Sequence, residues 1–136
     1  MEEMEWNRVY RRVRDLPQYI KSDGSITSAV FKDSKGASVD RDGGRTDSEI
    51  IADEERLHAQ QVEGLTQDEI IESGKNLRMI VSVSREICNE RQILVKPDPI
   101  KDNPYHALLQ RNEEIIELSP SQAKALARAV RIEKSY

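Results

Sequence analysis

Leu77–Ser84 reads LRMIVSVS, and this stretch decides the fold class. Its side chains form two alternating sets, one of Met79, Val81 and Val83 and the other of Ile80, Ser82 and Ser84. Alternation with a period of two is typical of a β-strand. The short apolar run Ile93–Val95, which is ended by Pro97, predicts a second strand beside the first.

Helix signals lie on both sides of this strand. Ser119–Gln122 (SPSQ) combines an N-cap serine, a proline at the first helical position and a capping-box glutamine, which predicts a helix that continues to Ile132. Thr46–Ser48 supplies N-cap candidates for an earlier helix, whose apolar stripe consists of Ile50, Ile51, Leu57 and Val62. Thr66–Ile71 predicts a shorter helix, because a glutamate follows Thr66 at capping-box spacing.

Other segments predict further strands and turns. Arg8–Arg14 is interpreted as an extended strand, although its apolar residues also fit a helical spacing. Ala37–Arg41 predicts a strand with Val39 inward, and the adjacent glycines 43 and 44 predict a flexible loop over residues 40–47. Thr27–Lys32 fits a helical turn or a short strand, and Arg85–Arg91 fits a hairpin connection or a helical turn.

Together these segments predict a single α+β domain that spans residues 1–136. We expect a small, mostly antiparallel sheet of about three to five strands, flanked by about two or three helices. The chain contains one Trp and one Phe, so the core must consist mainly of Ile, Val, Leu and Ala.

Charge and cysteine content restrict the class of protein. With 21 basic and 25 acidic residues the net charge is −4, which argues against a surface that binds nucleic acid or an anionic membrane as a whole. The single cysteine, Cys88, excludes an intrachain disulfide and favours a reduced compartment. No apolar run approaches the roughly 18 residues of a membrane span. The acidic start MEEMEW lacks the profile of a signal peptide, so we predict a cytoplasmic protein.

The usual signatures of catalysis and cofactor binding are absent from the sequence. It contains no Walker A motif, no G-x-G-x-x-G, no H-E-x-x-H and no G-x-S-x-G. Cys88, His58 and His106 are too few for a four-ligand zinc site, although a mixed site of histidine and carboxylate stays open. We therefore predict no metal and no cofactor, and we favour a protein that is not an enzyme.

A first polar cluster is a candidate ligand site. It consists of Lys32, Ser38, Asp40 and Arg41. A strand that reads Ser-Val-Asp-Arg places Ser38 and Asp40 on one face and Arg41 on the other. If Lys32 and Arg41 converge, they could bind a phosphate or a carboxylate. The alternative is a turn with surface ion pairs.

A second polar cluster is Asp102–His106 (DNPYH). Asn103 before a proline favours a turn and could cap a short helix, which would place His106 on the first helical turn. The helix dipole favours a neutral imidazole there, and such a group can act as a base or as a hydrogen-bond donor. The alternative is a histidine packed over the turn and bonded to a backbone carbonyl. His58, which has glutamates around it in the sequence, fits a solvated helix face.

Several short motifs follow one another along the chain. They are Arg11-Arg12-Val13, Asp23–Asp33 (DGSITSAVFKD), Ser38–Arg41 (SVDR), Pro97-Asp98-Pro99, Asn103–Ala107 (NPYHA) and Ala123–Ala129 (AKALARA). Their order resembles that of a family of small uncharacterised bacterial proteins with the pattern R-R-[IV], D-G-x-x-[ST]-S-x-x-F-K, S-V-D and D-P-x-x-x-N-P-x-H-A, followed by a basic helix. Val30 replaces an alanine that is usual in the family, and the acidic segment 47–77 also departs from its pattern. The resemblance implies a bacterial protein and no particular activity. It groups the segments 31–32, 38–41 and 103–106 as parts of one site or as turns that define the fold.

Three functions remain open from the sequence. The leading hypothesis is a small non-enzymatic accessory or regulatory protein that binds a protein partner, which predicts a large exposed apolar patch. The first alternative is an enzyme or binding protein for a phosphorylated or nucleotide-like ligand, with Lys32, Ser38, Asp40, Arg41 and His106 in one pocket. The second alternative is local nucleic-acid binding, with one face shared by Arg8, Arg11, Arg12, Arg14, Arg128 and Arg131.

Overall fold

The structure, a computed structural model, describes residues 4–136; residues 1–3 of the acidic start lie outside the described part. Within residues 4–136, six strands form one antiparallel sheet in the order β4-β5-β2-β1-β3-β6. The strands are β1 (Arg8–Arg14), β2 (Ala37–Arg41), β3 (Leu77–Ser84), β4 (Leu94–Pro97), β5 (His106–Gln110) and β6 (Arg131–Ser135). The helices of the same residues are α1 (Asp47–Gln61), α2 (Gln67–Glu72), α3 (Arg85–Glu90) and α4 (Pro120–Ala129), with a 3₁₀ turn at Ser28–Phe31. The α+β class and the antiparallel sheet are confirmed, and the described residues form one strand and one helix more than the upper numbers expected, six and four.

The strand predicted most directly, β3, lies inside the sheet. It pairs with β1 along its whole length, so that Val9 is opposite Val83 and Val13 is opposite Met79. On its other side it pairs with β6. This position explains why β3 is buried along almost its whole length, with Met79, Val81 and Val83 on one face and Ile80 and Ser82 on the other.

The prediction that Ile93–Val95 pairs with β3 is wrong. The strand in this region, β4, pairs with β5 at the opposite edge of the sheet. The reason is α3, which follows β3 directly and begins at the N-cap Ser84, whose hydroxyl accepts a hydrogen bond from the Ile87 amide. This helix, followed by Gln92 with a φ of 55°, takes the chain away from β3.

The sequence did not predict β6, because the helix before it was expected to continue to Ile132. The helix ends at Ala129, and Val130 already has an extended backbone with φ −64° and ψ 144°. The next residues pair with β3 along its free edge. Pairing with a distant strand therefore overrides local helix propensity at the end of α4.

The two faces of the sheet carry cores of different size. The larger core lies on the face covered by α3, α4 and the 3₁₀ turn and includes Phe31, Leu109 and Leu126. Cys88 is completely buried in this core, as expected for a small apolar side chain, and burial raises the pKa of its thiol to about 11. The smaller core, under α1, consists of Tyr10, Ile50 and Ile80. The polar side chains of Arg12, Asp40 and Glu54 lie on the same face.

The glycine-rich loop is shorter than predicted. Asp40 and Arg41 belong to β2, and α1 starts at Asp47, so the connection comprises residues 42–46. Gly43 has a φ of 57°, and a Cβ atom there would lie 2.6 Å from the ring of Tyr105. The loop therefore packs against Tyr105 closely enough to require glycine at this position.

Among residues 4–136, none of the helices combines the length and the apolar composition needed to cross a bilayer.

Candidate functional site

A cleft of about 520 Å³ opens between α1 and the sheet, and we call it the α1 cleft. Its lining includes Ser38, Asp40 and His106, together with residues of β1 and α1. The volume falls within the range of sites that bind small molecules. Three of the five residues predicted for a ligand site thus share one cavity.

The α1 cleft exists because β1 and β2 diverge. The two strands pair only where Val9 is opposite Arg41 and where Tyr10 is opposite Asp40. Beyond that point the side chain of Arg11 enters the gap and donates hydrogen bonds to the carbonyls of Val30 and Ser38, each at 2.7 Å. The gap leaves Ser38 exposed at the cleft.

A buried carboxyl pair forms part of the lining. Glu54 of α1 is 1% exposed, and Asp40 of β2 is 5% exposed. Arg12 donates a hydrogen bond to Glu54, and its Nη1 lies 3.6 Å from Oδ2 of Asp40. The amide group of Asn103 donates to Oδ1 of Asp40 over 2.7 Å. The guanidinium and the amide thus compensate charge that burial would otherwise make costly.

The surroundings of the carboxyl pair favour the protonated form of Glu54. Burial raises the pKa of Glu54 well above its usual value, the hydrogen bond and the negative charge of Asp40 raise it further, and Arg12 opposes these effects. Glu54 therefore keeps its proton to a higher pH than an exposed glutamate would. A buried titratable group whose pKa is strongly shifted, in an open cleft, is a marker of functional sites.

His106 is part of the cleft, but its predicted position on a helix is wrong. It is the first residue of β5, directly opposite Asp40 on β2. The backbones of Ile100 and Asn103 bond to each other and close a turn, and Ala107 and Leu109 then alternate inward as strand residues. The Nδ1 atom lies 2.9 Å from the carbonyl of Asp98 and 3.2 Å from its carboxylate. The imidazole is thus bonded to a backbone carbonyl, as the alternative interpretation expected.

Arg41 and Lys32 do not belong to the α1 cleft. Arg41 is 5% exposed and lies on the other face of β2, as the alternation of the strand predicts. Its Nε and Nη2 atoms donate hydrogen bonds to the carbonyls of Pro104, Tyr105 and His106, and these bonds fix the turn before β5. Lys32 lies exposed before the turn that leads into β2, whereas Arg41 is the last residue of that strand. The two cations do not converge.

Sequence reasoning missed the contribution of α1 to the cleft. Glu54 and His58 were both assigned to a solvated helix face, but Glu54 is buried and both residues line the cleft. His58 has its Nε2 atom 2.9 Å from the carbonyl of Lys75. The signal was present in the spacing, because Ile50, Glu54 and His58 recur every four residues on one side of the helix.

The outer part of the cleft lining is basic. Arg14 and Lys101 are both exposed and line the same cavity as the carboxyl pair. The guanidinium of Arg14 bonds to the Tyr19 hydroxyl at 3.1 Å and lies over its ring, which limits the positions that it can take. The cleft therefore has buried acidic groups and exposed basic ones.

The arginines considered for nucleic-acid binding do not share one surface. Arg12 bonds to Glu54 on the α1 face of the sheet. Arg128 lies on α4, which covers the opposite face. In the part of the chain that the structure describes, no group of three or more His, Cys, Asp or Glu side chains is arranged to bind a metal ion.

Comparison of the chain with protein-family models, with curated proteins and with solved structures finds no match. The resemblance to small bacterial proteins therefore stays a prediction, and the function must be argued from the site.

Proposed function

We propose that this protein binds a small phosphorylated or nucleotide-like molecule in the α1 cleft. The observation that carries the proposal is the distribution of charge in the cleft lining, where the carboxyl pair Asp40 and Glu54 is buried and the cations Arg14 and Lys101 are exposed.

The chemistry of a nucleotide-like ligand matches this distribution. Its hydroxyl or amino groups are hydrogen-bond donors, and the carboxyl oxygens of Asp40 and Glu54 accept such bonds. Its phosphate is an anion, which arginine binds through two parallel hydrogen bonds and lysine binds as a point charge. Ser38, which is exposed and lines the same cleft, adds a hydroxyl that can donate or accept.

The proposal is limited to binding. The two histidines of the cleft each have a ring nitrogen next to a backbone carbonyl, at Lys75 for His58 and at Asp98 for His106. Cys88, the only thiol, is buried in the larger core on the opposite face. These contacts support a preformed ligand site and give no support to a covalent step.

Binding of a protein partner has weaker support. Among the described residues, the exposed large apolar side chains come from α2, from the loops on either side of β5, and from β6 and the residue after it: Ile71, Ile100, Ile115, Ile116, Ile132 and Tyr136. A partner surface would favour a contiguous apolar patch of several hundred Å². This function stays a prediction.

A thermal-shift and calorimetric series tests the proposal. Nucleoside monophosphates and sugar phosphates are compared with their unphosphorylated parents, because a ligand that binds the folded state raises the melting temperature. We expect a shift with at least one phosphorylated compound. We expect Arg14→Gln/Lys101→Gln to weaken the binding of this compound at least about tenfold, because the loss of one charge-assisted contact has about this effect.

The matched control is Lys32→Gln/Lys35→Gln, which removes the same charge from two exposed lysines that do not line the α1 cleft. This control should bind like the unmodified protein. No shift with any phosphorylated compound, or equal weakening in both double variants, would contradict the proposed function.

A further inference from the structure

A second concave surface lies on the opposite face of the sheet, at the edge formed by β6. This β6-edge groove, of about 480 Å³, runs between residues 21–28 and the C-terminal half of α4. Its apolar part consists of Ile26, Ala127, Val130 and Ile132, and the first three of these also pack against the larger core. It shares no lining residue with the α1 cleft.

The charged lining of the β6-edge groove is entirely basic. Lys21, Lys124 and Arg128 line it together with the hydroxyl residues Ser25, Thr27 and Ser28, and no carboxylate lines it. Such a local excess of positive charge contrasts with the net charge of −4 of the whole chain. It would attract an anion to this one place.

Nothing among the described residues neutralises these three cations by direct pairing. None of the ion pairs within residues 4–136 includes Lys21, Lys124 or Arg128. The carboxylate beside them, Asp23, accepts hydrogen bonds from the amide and the hydroxyl of Ser25 at 2.9 and 2.6 Å. These bonds, more than the charge of Lys21, lower the pKa of Asp23. Lys21 therefore stays available to an external anion.

The positions of the cations on α4 add a reason for an anion to bind. Lys124 and Arg128 are four residues apart, so they project from the same side of the helix and repel each other. An anion between them would replace this repulsion by two attractive contacts. The Ser28 hydroxyl on the other side of the groove is a further donor.

The apolar part of the groove indicates what the anion carries. Ile132 is 52% exposed although it lies in a concave surface next to Val130. Burying such a side chain under an apolar group is favourable. The concavity and its volume suit a small molecule better than a flat bilayer or a long polymer.

We propose that the β6-edge groove binds a soluble phosphomonoester with an apolar body. The phosphate binds between Lys21 and the α4 cations, and the body packs on the apolar lining. This site is independent of the α1 cleft.

Phenyl phosphate is a suitable probe because it joins a phosphate to a flat apolar ring. We expect ¹H–¹⁵N NMR titration at low ionic strength to shift amides in residues 21–28 and 124–132. Phenol and inorganic phosphate should each bind more weakly. Lys124→Gln/Arg128→Gln should weaken the binding of phenyl phosphate at least about tenfold. The control is Lys35→Gln/Lys96→Gln, which removes the same charge from exposed lysines outside the groove. It should leave the affinity for phenyl phosphate unchanged.

Three results would overturn the proposal. The first is that amide shifts spread over the whole surface and become smaller by the same amount in both double variants, which indicates unspecific attraction. The second is shifts centred on Arg14 and Lys101, which assigns the phosphate to the α1 cleft alone. The third is binding to vesicles of phosphatidylglycerol with none to phenyl phosphate, which indicates a membrane surface instead of a soluble ligand.

Discussion

Glu54 is an ionisable residue at a position where the helix pattern favours an apolar one. It follows Ile50 by one helical turn and is as deeply buried as its neighbours in the core. Arg12 and Asp40 provide its partners, and the side chains of β1, β2 and α1 are thereby joined. No buried side-chain nitrogen or oxygen within residues 4–136 lacks a hydrogen bond, so the network is satisfied.

The pKa of Glu54 makes a prediction for the pH dependence of stability. Because the folded protein raises this pKa, the native state retains a proton that the unfolded chain releases above about pH 4.3. The free energy of unfolding should therefore fall as pH rises from there to the folded pKa, with a slope of up to about 1.4 kcal/mol per pH unit. Glu54→Gln should remove this slope in urea unfolding curves measured from pH 5 to 8.

Glu55→Gln is the matched control for this prediction. Hydrogen bonds from Lys134 and Tyr136 lower the pKa of Glu55, so it is ionised in the folded and the unfolded state throughout that pH range. The control should keep the slope of the unmodified protein. An unchanged slope in Glu54→Gln would show that Glu54 does not retain the proton.

At the scale of elements, the helix starts were predictable because a cap is a local structure. Thr46, Thr66 and Ser119 each form a complete capping box with the residue three positions later. The two edge strands were harder, because β6 and the pairing of β4 depend on partners that are far away in the chain. Local signals thus found α1, α2 and the start of α4, but not the strand order.

Removing two of these caps should have different effects. Ser119→Ala should lower the global free energy of unfolding by about 1 kcal/mol, because α4 buries Ala123 and Leu126 in the larger core. Thr66→Ala should change it by less than about 0.5 kcal/mol, because α2 buries no residue and can fray alone. Urea unfolding measures the global free energy for both variants. Amide hydrogen exchange in α2 measures the local loss of stability in Thr66→Ala. Equal global losses would mean that α2 unfolds only with the whole domain.

At the scale of the whole molecule, only part of the candidate site was accessible from sequence. The alternation of β2 correctly placed Ser38 and Asp40 together and Arg41 apart from them. The hypothesis of one pocket correctly joined Asp40 with His106, which are opposite each other on β2 and β5. The approach of Glu54 to Asp40 depends on the packing of α1, which no local motif encodes. The composition determines the net charge of the chain, but it does not predict that basic residues line one groove beside β6.

The strand order also predicts what β6 contributes to the molecule as a whole. Ending the chain at Val130 would turn β3, with Ile80 and Val81 completely buried, into an edge strand with unpaired amides and carbonyls. We expect a lower melting temperature and more self-association than in the full chain at equal concentration, measured by thermal unfolding and sedimentation velocity.

The control for this prediction must account for side-chain contacts that the deletion also removes. These are the contacts of Glu133, Lys134 and Tyr136 with Ser82 and Glu55. The control is therefore the full chain with Glu133→Gln, Lys134→Gln and Tyr136→Phe. This control keeps the backbone of β6 and should associate no more than the unmodified chain. Equal association of the truncated and full chains would show that β6 does not protect the edge of the sheet.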